Sequence, residues 1–145
     1  MSLSILVVDD EPGIRLLLTK ALTAHGYTAF EAQDGHVGLQ QFCTRQPDLI
    51  LLDVNMPGRD GFSILQEIRR QDAVVGVVMI SAARQSHIVR DALLNGADGY
   101  LHKPFNLQQL FQEIRRVGAL VQTRRAPILC QPEPRFAFTP AWQAY

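Results

Sequence analysis

Leu49-Ile50-Leu51-Leu52-Asp53, continuing into Val54-Asn55-Met56-Pro57-Gly58, is the stretch that decides the architecture. A short apolar run ends on a carboxylate and then on a turn rich in Asn, Pro and Gly. Such a run, bounded by turn signals, reads as a strand buried on both faces, the mark of a parallel sheet. The pattern recurs on either side. Leu3 to Val8 ends in Asp9-Asp10-Glu11, Val74 to Ile80 ends in Ser81, and Tyr100-Leu101-His102 ends in Lys103-Pro104. Ligands of an open parallel sheet sit beyond the carboxyl ends of its strands. These polar residues are therefore expected to converge.

Each gap between the runs carries a helical period. Pro12 suits a first helical turn, Ile14, Leu17, Leu18, Ala21 and Leu22 form an apolar stripe, and Gly26 is a plausible terminator. Tyr27 to Ala32 reads as a second strand. Asp34 can cap the helix that follows, in which Leu39, Phe42 and Cys43 share a face before Pro47 ends it. Phe62, Leu65 and Ile68 mark a third helix, and Ile88, Ala92 and Leu93 a fourth, closed by Asn95-Gly96. Phe105 to Val121 supplies the last, with Leu107, Leu110, Phe111, Ile114, Val117 and Val121 at helical spacing. The fold class is α/β, with five strands alternating with five helices in a doubly wound parallel sheet.

The whole chain has 145 residues, is 47% hydrophobic, and balances 14 basic against 14 acidic side chains. That charge balance lacks the basic footprint of a nucleic-acid binder, so direct DNA contact by this chain is not expected. No apolar stretch approaches the roughly 18 to 20 residues a membrane span needs. Met1 to Leu3 is too short for a signal peptide, and Cys43 with Cys130 cannot form a disulfide framework, so cytoplasm is the expected compartment. Composition changes after Val121. Residues 122 to 145 hold Pro127, Pro132, Pro134 and Pro140 with scattered Phe136, Phe138, Trp142 and Tyr145 and no sustained period. The chain thus divides into a domain at 3–121 and a tail or linker stub at 122–145. The tail could fold back, join a neighbour, or begin a second domain.

Taken together, Asp9-Asp10-Glu11, Leu52 to Gly58, Ile80-Ser81-Ala82 and Tyr100 to Phe105 resemble the receiver domain of two-component response regulators. The resemblance covers residues 3 to 121 and implies a flavodoxin-like sheet order 2-1-3-4-5, with Asp10 and Asp53 facing each other at the switch point. It implies a phosphoacceptor signalling domain rather than an enzyme in its own right. Crowded carboxylates repel until a hard cation sits among them. Magnesium fits that demand, with Asp10 and Asp53 as direct ligands, the backbone carbonyl of Asn55 as a third, and Asp9 acting through water. Glu11 reads equally as an acidic neighbour of the metal or as a first-turn residue favoured by the helix dipole.

By the same resemblance Asp53 is the nucleophile that takes a phosphoryl group from a phosphohistidine on a sensor histidine kinase or phosphotransfer protein. Lys103 and Ser81 would contact phosphoryl oxygens, Tyr100 would be the rotamer switch, and Lys103-Pro104 is a candidate cis bond. Asn55 and Ala83 would flank the path of hydrolytic water. Output would pass through the fourth helix, fifth strand and fifth helix, from about Arg84 to Val121, to a downstream effector or a second copy of the chain.

Two other readings stand beside it. A haloacid dehalogenase-type phosphatase also uses an aspartate, magnesium, a hydroxyl and a lysine, but its nucleophile ends the first strand in Asp-x-Asp, whereas here that strand ends in adjacent Asp9-Asp10. A degenerate receiver would lack an acidic, hydroxyl or lysine position, and none is missing. The pairs Arg69-Arg70, Arg115-Arg116 and Arg124-Arg125 fall near helix ends and read as solvated charges suited to the dipole. His25, His36, His87 and His102 share no ligand spacing.

Overall fold

The computed structural model describes residues 3–58, 60–82 and 86–126. Ala83 and most of the tail, with Cys130, lie outside these residues. The elements run β1 (Ser4–Val8), α1 (Pro12–Ala24), β2 (Thr28–Ala32), α2 (Gly35–Arg45), β3 (Leu49–Asp53), α3 (Gly61–Gln71), β4 (Gly76–Ser81), α4 (Ser86–Leu94), β5 (Gly99–His102) and α5 (Leu107–Arg125). All strand pairs are parallel, in the order β2-β1-β3-β4-β5. The chain reverses direction across the sheet between β1 and β3, so a crevice opens at their carboxyl ends.

Successive residues of the central strands feed opposite cores. Leu6, Val8, Ile50, Leu52, Val77 and Met79 pack with Phe42 of α2, Ile64, Leu65 and Ile68 of α3, and Ala92 of α4. Ile5, Val7, Leu49, Leu51, Val78 and Ile80 pack with Leu18 and Leu22 of α1 and with Leu110, Phe111, Ile114 and Val117 of α5. Both faces of the sheet are covered, which is why its central strands are apolar at every position rather than at alternate ones. No helix among the described residues is long and apolar enough to cross a membrane.

The helices begin where short polar side chains cap them. Asp34 Oδ1 accepts from the Val37 N–H, Asp60 Oδ1 from the Ser63 N–H, and Asn106 forms a reciprocal capping box with Gln109. Gly26 and Gly96, with φ of 89° and 103°, take the left-handed conformation just beyond α1 and α4.

Several apolar positions expected to face the core do not. Leu17 is 58% exposed and Leu93 50%, while Cys43 and Leu107 also lie at the surface. The sheet covers only a limited arc of each helix, and Leu17, Cys43 and Leu93 sit about 100° round from the residues at its centre. Leu107 opens α5, where the helix overhangs the end of the sheet. The β4 ladder starts at Gly76 opposite Leu49, later than the apolar run from Val74 suggests. Asp72 Oδ1 accepts from the N–H groups of both Val74 and Val75, which holds them in a turn and out of the ladder.

The arginine pairs are corrected more sharply. Arg69 reaches the amino end of the sheet, donating to the carbonyls of Gly96 and Val75 and, at 2.8 Å, to Asp98. Arg124 also pairs with Asp98, Arg116 donates to the Asp98 carbonyl at 2.6 Å, and Arg125 pairs with Asp48. Arg69 alone leaves the surface, its side chain 16% exposed, whereas Arg70 and Arg115 keep the solvated character expected of the set and Arg116, Arg124 and Arg125 stay exposed while holding these partners. Parallel strands leave their starting carbonyls and Asp98 together at one end, and helix-terminal arginines are long enough to meet them.

Candidate functional site

Among the described residues the buried polar side chains are Asp9, Asp53 and Ser81, exposed by 1%, 4% and 0%. Each stands at or just past the carboxyl end of a central strand, where no neighbouring helix crosses. Burying polar groups costs free energy unless partners are supplied, so their convergence on one spot marks a site. Carboxylate oxygens of Asp9, Asp10 and Asp53 lie within 4.8 Å of one another. Asp10, Glu11, Asp53, Asn55, Ala82 and Lys103 line a cavity of about 310 Å³ above them.

Lys103 is delivered by β5, whose register sets His102 beside Ser81. The Lys103 N–H donates to the Ser81 carbonyl at 2.8 Å, and the Lys103–Pro104 peptide is cis, as expected. Its ammonium lies 3.3 Å from Asp9 Oδ2, 3.6 Å from Asp53 Oδ2 and 3.6 Å from Glu11 Oε1. Burial alone would lower its pKa, but Asp53 and Asp9 outweigh that and hold it above the ordinary lysine value. Burial first, and then Asp9 with a lesser push from Asp10, raise Asp53 to about 6 against the opposing pull of Lys103 and the Asn55 N–H.

The donor set fits a hard divalent cation. One ammonium faces three crowded carboxylates, the oxygens are of the kind magnesium prefers, and burial followed by the charge of Asp9 makes ionised Asp53 costly until a cation joins it. Asp9 has both oxygens engaged, Oδ1 by the Glu11 N–H at 2.9 Å and Oδ2 by Lys103. Asp10 and Asp53 line the cavity and Asp9 does not, although Asp53 also accepts from the Asn55 N–H at 3.2 Å and pairs with Lys103. Glu11 occupies the N-cap position of α1 without capping it and turns to Lys103 instead.

Tyr100 lies half-buried against the core on the α2–α3–α4 side, while its N–H donates to Glu113 at 3.3 Å. Gly61 was not singled out by sequence. A Cβ there would come within 2.5 Å of the Asp53 carbonyl and 2.7 Å of the Val54 Cα. The backbone leaving β3 can lie this close to the start of α3 only because this residue has no side chain. A helix-initial Gly directly after the capping Asp60 was the available signal.

This arrangement defines a doubly wound α/β domain with an acidic, cation-competent crevice at its switch point. The family description "Response regulator receiver domain" matches residues 5–115, and the chain belongs to that family. It is 36% identical over 136 residues to the KDP operon transcriptional regulatory protein KdpE of Escherichia coli, covering 94% of this chain and 58% of that protein. It is 40% identical over 124 residues to the transcriptional regulatory protein TcrA of Mycobacterium tuberculosis, covering 86% and 47%. The chain thus spans about half the length of the curated relatives it matches. The chemotaxis protein CheY4 of Vibrio cholerae superposes with a TM-score of 0.77 at 30% identity, covering 81% of this chain and 99% of that one. NtrX of Brucella abortus does so with 0.81 at 33%, covering 86% and 29%. Family membership speaks against the phosphatase alternative.

Proposed function

We propose that this receiver accepts a phosphoryl group on Asp53 in a magnesium-dependent reaction and passes the change to a partner through α4, β5 and α5. The observation that carries the reading is Asp53 itself, buried at the end of the central strand β3 between Lys103 and the Asp9–Asp10 pair. Asp10, Asp53 and the Asn55 carbonyl would hold the cation, and Asp9 suits a water-mediated role because it lies behind the residues that line the cavity. Magnesium, when bound, would neutralise charge on the transferring phosphoryl group.

The rest falls to the chain's own residues. A carboxylate oxygen of Asp53 attacks phosphorus and an O–P bond forms. The P–N bond of the donor phosphohistidine breaks, and its electron pair stays on the imidazole, which takes a proton from solvent. Lys103 would follow one phosphoryl oxygen as negative charge moves onto Asp53, and the Ser81 hydroxyl would meet another. Drawing Ser81 inward would reshape the space beside Tyr100. Tyr100 is among the residues bordering a groove of about 430 Å³ between β5 and α5, with His102, Phe105, Gln109 and Arg116, which suits an effector segment or a second copy.

Mass measurement after incubation with acetyl phosphate and magnesium tests the reading. A stable gain of one phosphoryl group, lost in Asp53→Asn and in Asp10→Asn, is the expected result. Multiple turnover would return the phosphatase reading, and no gain in the unmodified protein would leave a binding module that does not phosphorylate.

A further inference from the structure

Asp9 is tethered through its main chain as well as its carboxylate. Its N–H donates to the Ala32 carbonyl at 3.1 Å, and its own carbonyl accepts from Arg15 Nη1 at 2.7 Å. The chemistry described above does not use this second contact. Arg15 stands in the first turn of α1, its side chain only 15% exposed, and its Nε donates to Glu31 Oε1 on β2 at 3.1 Å. One guanidinium thus joins α1, the end of β1 and the edge strand β2.

We infer that Arg15 is a positioning residue that fixes the Asp9–Asp10 peptide plane and so aims the Asp10 carboxylate at the cation site. The Asp9 carbonyl and the Asp10 N–H belong to one planar unit. Anchoring the oxygen therefore removes the rotation that would swing Asp10 out of the crevice. A guanidinium can serve the carbonyl and Glu31 from separate branches at the same time, which a single ammonium cannot.

Charge supplies the discriminating sign. A cation held beside a site for a second cation opposes its binding by Coulomb repulsion. If Arg15 acted only by charge or by packing, removing it would leave magnesium affinity unchanged or make it tighter. If it aims Asp10, removing it weakens binding in spite of the lost repulsion.

The inference rests on the receiver reading, and calorimetric titration of the unphosphorylated full chain with magnesium chloride separates the two. Arg15→Met keeps the stem and a good helix former while deleting the donors. Its dissociation constant is expected to rise about tenfold, the scale at which partners behind metal ligands act. Glu31→Gln leaves the carbonyl contact in place, removes only a carboxylate that is itself 55% exposed, and is expected to bind within about twofold of the unmodified protein. Magnesium binding by Arg15→Met that is equal or tighter overturns the inference alone, whereas no binding by the unmodified protein overturns the receiver reading with it. Should Arg15→Met fail to fold, Arg15→Leu decides, because it too keeps a good helix former while deleting every donor; an affinity equal to or tighter than that of the unmodified protein overturns the inference.

Discussion

Asp53 carries its negative charge at a cost to the fold. Its pKa, raised from an ordinary 3.8 to about 6, means that the native state holds this proton over a range in which the unfolded chain has released it. The stabilisation from that bound proton is fully present below about pH 4 and is lost as pH rises through about 6. Without magnesium, Asp53→Asn should accordingly be more stable than the unmodified protein at pH 8, by about 1 to 3 kcal/mol, and lose that advantage at pH 4. Urea denaturation of both proteins at the two pH values checks this. An advantage independent of pH would mean that the carboxyl is not crowded as described.

Elements hold the site through contacts that a local reading passes over. The first residue of α3 abuts the backbone leaving β3, since the Gly61 N–H donates to the Val54 carbonyl at 2.8 Å. A methyl group at that position must push the loop away. Gly61→Ala is expected to cost about 1 to 3 kcal/mol, as overpacking does, and also to weaken magnesium binding because the same loop presents Asn55. Denaturation and magnesium titration together test the coupling; a loss of stability with unaltered affinity would show that the loop relaxes without disturbing the ligands. Capping of α2 by Asp34 was legible in the sequence because an N-cap acts within a few residues. The exposed flank of α1 was not, because periodicity marks Leu17 as apolar without saying how wide an arc the sheet covers.

Across the whole molecule, two ends of one sheet have opposite tasks. The amino end is tied by Asp98, 7% exposed at its side chain and bound by Arg69 and Arg124, so that α3, β4, β5 and α5 meet at one carboxylate. Burial raises the Asp98 pKa, but Arg124, the Val77 N–H and Arg69 outweigh it, leaving the group below the ordinary value. Stability from this group is therefore present above the unfolded pKa and lost as pH falls through the lower, folded one. Asp98→Asn should destabilise by about 3 to 5 kcal/mol at neutral pH, since it leaves Arg69 buried without its charge partner. A change in melting temperature too small to resolve would show that water replaces the pair. At the carboxyl end the proposed function calls for movement. Ser81→Ala should still phosphorylate but fail to change the surroundings of Tyr100, because on that proposal the hydroxyl is the contact that would distinguish the two states. NMR of the Tyr100 ring with and without beryllium fluoride and magnesium reads this; a ring unmoved in the unmodified protein would sink the proposed route.

What the sequence determined by itself is the alternation of buried strands with amphipathic helices and the placing of Asp9, Asp10, Asp53, Ser81 and Lys103 at strand ends. Those signals are local, written in runs and periods a few residues long. The sheet order was legible only through the family resemblance, and strand register has no local signature at all. Tertiary structure alone decided that Lys103 meets Asp9 across 94 residues of chain, that Asp98 draws Arg69 out of solvent and pairs with Arg124, and that Arg15 grips the Asp9 carbonyl. Pairings of that kind arise where parallel strands bring distant segments to a common end, and a charged residue carries the same letter whether its partner is water or a buried carboxylate.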